Sequence, residues 1–142
     1  QGRLIMTSIT CNIVSPEGEL FSGEVEQLTA EGGEGEIAIT PRHAPLLTSL
    51  KPGPVKLTLE GGKEEVFFAS GGFLEVQPGE ITLLTDVAER ADGIDEAAAE
   101  RAKELAEREL EDQKSDLDYS LAAAQLAEAA ARLKALQKLR KK

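Results

Sequence analysis

Along the first half of the chain, apolar and polar residues alternate in short runs. Ile9, Cys11 and Ile13 fall on one side of an extended segment and Thr10 and Asn12 on the other, the period of two that marks a half-buried strand. Ser15-Pro16-Glu17-Gly18 has the chemistry of a type I turn, returning the chain through Leu20-Phe21. Gly23 is read as a break before another short strand, Glu24 to Ala30, and Glu31-Gly32-Gly33-Glu34-Gly35-Glu36 as a hairpin loop. Ile37-Ala38-Ile39 is the next strand, followed by an irregular segment fixed by Pro41 and Pro45. Leu46 to Leu50 then runs to a stop at Lys51-Pro52-Gly53-Pro54.

Two hairpins follow. A two-residue turn at Gly61-Gly62 pairs Glu60 with Lys63 and so sets Leu57 opposite Val66 and Val55 opposite Phe68. A type II turn at Pro78-Gly79 sets Val76 opposite Ile81 and Leu74 opposite Leu83. The pattern predicts an antiparallel β-sandwich or barrel of about ten short strands, ending near Asp86.

From Ile94 the period changes. Alanines cluster at 97–99, 102 and 106, then at 122–124, 127 and 129–131, and alanine is the best intrinsic helix former. The polar run Asp112-Gln113-Lys114-Ser115-Asp116 divides two helices that fold antiparallel, with Asp92 or Asp95 capping the first. The expected facing stripes are Ala98, Ala102 and Leu105 against Ala122, Leu126, Ala129, Leu133 and Leu136. Methyl-rich seams remove little apolar surface, roughly 0.8 kcal/mol per CH₂, so docking is expected to be weak. Each helix keeps its own helix formers when undocked, which predicts a hairpin that opens as helices; a static hairpin covering a neighbouring surface is the alternative. The fold class is therefore α+β: residues 6–90 the sandwich, residues 91–142 the helical hairpin, and residues 1–5 an extraneous or loose terminus.

Composition narrows the function. The 142 residues include no Trp and one Cys, and the formal net charge of -10 argues against nonspecific nucleic-acid binding. No run approaches the roughly 20 apolar residues of a membrane-crossing helix, so a soluble protein is expected. A lone Cys11 on an apolar face reads as a small core residue in a reducing compartment. The charge is uneven: the first helix is acidic, whereas after Glu128 only Arg132, Lys134, Lys138, Arg140, Lys141 and Lys142 are charged. This cationic tip either complements its own helix C-terminus or docks an acidic partner.

No active site is expected. His43 stands without a second His or Cys for a zinc set, the glycine run at 32–35 lacks the Lys-Ser or Lys-Thr of a phosphate loop, and Ser70-Gly71-Gly72 lacks a nucleophile elbow.

The chain closely resembles the epsilon subunit of bacterial F-type ATP synthases. The resemblance runs from Met6 to the C-terminus through Phe21-Ser22-Gly23, the segment Gly35 to Thr48, and Ser70-Gly71-Gly72-Phe73-Leu74-Glu75-Val76-Gln77-Pro78. It implies a non-catalytic central-stalk subunit, peripheral on the cytoplasmic face of the bacterial inner membrane, which couples proton flow to rotation. The sandwich would bind the gamma subunit and the c-ring, with Glu34, Glu36, Arg42 and His43 near the rotor; Arg42 stands where the family commonly has Gly. The hairpin would lie on the sandwich or extend to the alpha and beta subunits of the catalytic head and inhibit ATP hydrolysis. Arg132, Lys134, Lys138 and Arg140 are the candidates for meeting an acidic beta-subunit segment there. Some members bind ATP through an Ile/Leu-Asp-x-x-Arg-Ala motif; here Asp95 matches but Ala98 replaces the Arg, so weak or no ATP binding and no other cofactor are expected. A stand-alone ATP-sensing module and a small hydrolase are the alternatives, separated from this reading by capture of the gamma subunit.

Overall fold

The computed structural model describes residues 8–112 and 115–141. The assignment of residues 1–5 as a terminus outside the fold, together with Gln113, Lys114 and Lys142, lies outside the described residues. Among the described residues nine strands run β1 Ile9–Ser15, β2 Gly18–Gly32, β3 Gly35–Ile39, β4 Leu46–Leu50, β5 Gly53–Leu59, β6 Glu64–Ala69, β7 Gly72–Gln77, β8 Glu80–Leu84 and β9 Ala88–Arg90. Two helices follow, α1 Glu96–Glu111 and α2 Asp116–Arg140.

The strands are ordered β1-β8-β7-β4-β2-β5-β6-β9, with β3 on β2 and β1 also on β2. Strand β2 closes this circuit, because its first half pairs with β1 and its second half with β3, β4 and β5. Gly23 therefore does not break the chain as expected; it pairs with Cys11 inside one continuous strand. The pairing of β1 with β8 is parallel, a departure from the all-antiparallel expectation that arises where the first strand is inserted to close the sandwich. Ile9, Cys11, Ile13, Leu28, Ile39, Leu57, Phe67, Leu74 and Ile81 fill the space between the layers. Burial pushes the Cys11 thiol up to about 12, so it stays protonated and packs as an apolar group.

One of the two predicted hairpins holds to the residue. Gln77 pairs with Glu80, Val76 with Ile81 and Leu74 with Leu83. The other is shifted by one: Val55 faces Phe67 and Lys56 faces Val66. Its loop has three residues, Glu60-Gly61-Gly62, closed by Leu59 N–H donating to the Lys63 carbonyl. A one-residue slip sends every side chain to the opposite face. Phe67 consequently enters the sandwich core, while Val66 and Phe68 point outward under the helices. The tight passage at Ser70-Gly71-Gly72 needs glycine: Gly72 has φ 135°, and a Cβ there would strike the Leu84 carbonyl.

Helix α1 is capped by Asp95, whose carboxylate accepts from Ala98 N–H at 3.1 Å. Its buried residues are Ala99 and Ala106, not the expected Ala98, Ala102 and Leu105 stripe; Leu105 is half exposed. The rotation places a methyl group at each close approach and leaves the bulky leucine outside the seam. On α2, Ala122, Ala129 and Leu136 lie at seven-residue spacing, while Ala131 and Ala135 pack with Val66 and Phe68 of the sandwich. Burial on two faces explains why its apolar residues follow no single stripe.

Candidate functional site

The basic half of α2 lies across β5 and β6, and its cations meet carboxylates supplied by separate elements. The helix is fixed at its start by Ser115, whose hydroxyl accepts from Asp118 N–H at 3.0 Å. Arg132 Nε donates to Glu89 Oε1 of β9 at 2.8 Å while its guanidinium stacks 4.3 Å from the Phe68 ring centroid. Lys134 Nζ lies 3.3 Å from Glu31 Oε1 of β2, and Lys138 Nζ donates to Glu36 Oε2 of β3 at 2.7 Å. Arg140 makes a two-pronged contact with Glu96 of α1, at 2.7 and 3.2 Å.

The four cations singled out in the sequence thus divide by partner. Three tie α2 to the sandwich, and Arg140 ties α2 to α1. Docking also rests on the fully buried Phe68 and on Val66, which the alanine count alone overlooked. At this seam the sandwich supplies the bulk that the helix lacks, whereas the residues buried between α1 and α2 are mainly alanines, as the methyl-rich seam expected from the sequence requires.

The Lys138 hydrogen bond holds the Glu36 carboxyl below its ordinary value of 4.5, and the Arg140 hydrogen bond does the same for Glu96. A carboxyl depressed in the docked state stabilises that state above its free value, and the contribution is lost as pH falls through the docked value. Sandwich–arm docking should be insensitive to pH between 6 and 8, and should loosen progressively as pH falls below about 4.5. Hydrogen exchange of α2 amides against pH measures this, with E36Q expected to flatten the response.

The other sequence candidates do not form one patch. Glu34 is exposed at the tip of the β2–β3 hairpin, and Glu36 beside it is engaged by Lys138. Arg42 and His43 lie past the other end of β3, about 13 Å away along the strand, where His43 Nδ1 meets its neighbour's Ala44 carbonyl at 2.7 Å. Asp95 is occupied as a helix cap. Beside it, Ala98, Ala102, Ala129, Arg132 and Glu89 line a hollow of about 280 Å³. Ala98 contributes no charge to it, and the one cation among the described residues that line it, Arg132, is paired with Glu89. Among the described residues, no group of three metal-ligating side chains occurs, and no helix is long and apolar enough to cross a membrane.

A further surface went unnoticed in the sequence. Phe73 and Leu84 are paired neighbours on β7 and β8 yet stand 58% and 51% exposed, with Leu47 at 70% on the adjoining β4. Phe73 and Leu84 border a hollow of about 460 Å³ that Val14, Pro16 and Asp86 also line. The signal was present: once Leu74 and Val76 point inward, period two forces Phe73 outward.

Two family descriptions match successive parts of the chain, the ATP synthase delta/epsilon chain β-sandwich domain over residues 8–91 and the delta/epsilon chain long α-helix domain over residues 92–137. An ATP synthase epsilon chain of Chromohalobacter salexigens is 55% identical over 137 residues, spanning 96% of this chain and 97% of that one. The chain belongs to the ATP synthase delta/epsilon family. Solved structures share the delta/epsilon fold at low identity. A chain of the Euglena gracilis mitochondrial ATP synthase OSCP/F1/c-ring assembly superposes with a TM-score of 0.84 at 22% identity, covering 96% of this chain and 86% of that one. A chain of the Tetrahymena thermophila mitochondrial ATP synthase central stalk/c-ring gives 0.62 at 17%, covering 90% and 96%. A delta/epsilon chain therefore carries two candidate surfaces: an ion-paired helical arm and an apolar patch on the outer sheet.

Proposed function

We propose that this delta/epsilon-family chain is a non-catalytic central-stalk subunit of a bacterial F-type ATP synthase, at the cytoplasmic face of the inner membrane. It couples c-ring rotation to the catalytic head and restrains ATP hydrolysis through its helical arm. The apolar patch at Leu47, Phe73 and Leu84 is the docking surface for the gamma subunit, since exposed apolar side chains clustered on one sheet face mark protein interfaces. Glu34 and the Arg42-His43 turn contact the rotor from opposite ends of β3. The arm acts when it leaves the sandwich and presents Arg132, Lys134 and Lys138, with Arg140 alongside, to an acidic segment of the beta subunit.

The observation that carries this reading is the way α2 is held. Its sandwich-facing cations are bound by side-chain carboxylates at partly exposed positions, contacts that an acidic partner can replace one for one. For an ATP-closed module, the Asp95–Ala98 hollow offers, among the described residues, no free cation to meet a triphosphate.

Neutralising Arg132, Lys134, Lys138 and Arg140 together to Gln tests the inhibitory role. Hydrolysis by the assembled enzyme should rise several-fold, and its salt dependence should shrink. Unchanged hydrolysis and salt response would reject this reading.

A further inference from the structure

Glu31 and Glu36 stand directly opposite each other across β2 and β3. Like charges paired in this way destabilise a sheet, because their side chains share one face a few ångströms apart. Here each carboxylate has its own nearest cation, Lys134 for Glu31 and Lys138 for Glu36, residues four apart and hence on one side of α2, with Lys134 and Lys56 also close enough to attract Glu36. The sandwich prepares this placement itself. Gly53, on the adjoining β5, has no Cβ, and the Glu31 side chain occupies the space where one would lie. At the opposite side of Phe68, Glu89 takes Arg132. Val66 and Phe68 thus form an apolar centre with carboxylates on both sides, a surface whose chemistry fits a basic amphipathic helix.

We propose that Glu31, Glu36 and Glu89 form an acidic seat that competes with external acidic partners for the cations of α2, so that residues outside the arm set how often it is released. This rests on the reading that the arm can leave the sandwich. Departure sets the Glu31–Glu36 repulsion free, so the empty seat draws a cationic helix back. Arg140 is no part of the latch, because its partner Glu96 travels with the hairpin. Seat and external partner are alternatives for Lys134 and Lys138, because neither ammonium can lie against the sandwich and against a distant partner at once.

The test uses the full chain labelled at cysteines introduced by K63C and Q125C, Cys11 being buried and protonated. Distances between the labels are read in the isolated chain, and hydrolysis is read in the assembled enzyme. The triple change E31Q/E36Q/E89Q should raise the ratio of detached to docked arm about tenfold, the summed effect of three partly exposed pairs. High salt should produce the same shift in the unmodified chain, whereas E96Q should leave it unchanged. The charge swap E36K/K138E should restore docking relative to either single change. An unaltered distance distribution in the triple variant, or no recovery in the swap, overturns the seat. An arm released by the triple change while hydrolysis stays unaltered supports the seat and overturns the inhibitory reading instead.

Discussion

Replacing Phe68 with Ala should loosen the arm and leave the sandwich folded. Phe68 is fully buried, but in the cluster shared with Ala131, Ala135 and Leu139 of α2, separate from the inter-sheet core. Truncating a buried Phe costs about 3–5 kcal/mol in lost transfer energy and cavity. Because this cavity opens at the sandwich–arm seam, departure of the arm relieves it, and Arg132 loses its aromatic platform as well. Even the lower figure corresponds to a shift of about a hundredfold toward the detached state. Amide exchange should accelerate along residues 131–139 while β1, β7 and β8 stay protected. F67A is the contrasting case: that ring lies in the inter-sheet core, so the entire sandwich should lose stability. Equal loss of protection in arm and sandwich for F68A would mean that the two are one cooperative unit.

The double change F73D/L84D should abolish capture of the gamma subunit without unfolding the chain. Both side chains are more than half exposed, so placing carboxylates there disturbs little of the sandwich interior. In an assembled interface the same positions would be desolvated, and central apolar anchors commonly contribute 2 kcal/mol or more each. Two buried carboxylates without partners add a further penalty. Affinity should fall by about a hundredfold or more, with thermal unfolding of the isolated chain little changed. Retained capture would place the gamma contact elsewhere on the sandwich.

These two surfaces mark where reading the sequence stopped short. The Pro78-Gly79 hairpin was legible to the residue because a Pro-Gly turn has one geometry and Leu74, Val76, Ile81 and Leu83 fix the buried face. The Gly61-Gly62 hairpin was not, since two adjacent glycines accept either a two- or a three-residue loop. That single step decided which of Phe67 and Phe68 lies in the core and which under the arm. Without it the seat was invisible. The helices themselves were plain from composition, yet α1 is rotated because neighbouring alanine stripes differ only in whether Leu105 enters the seam. Charge was legible as an inventory but not as pairs. Pairing Glu31 with Lys134 and Glu36 with Lys138 spans more than a hundred residues of sequence and depends on the helix crossing β5 and β6.

The central claim is that α2 has two seats, one on its own sandwich and one on the catalytic head. Label-to-label distance from K63C to Q125C, measured in the assembled enzyme during active hydrolysis and again under inhibition, tests it most directly. Two separations should appear, short in the active enzyme and long in the inhibited one, with α2 helical in both. A single short separation under both conditions would contradict it.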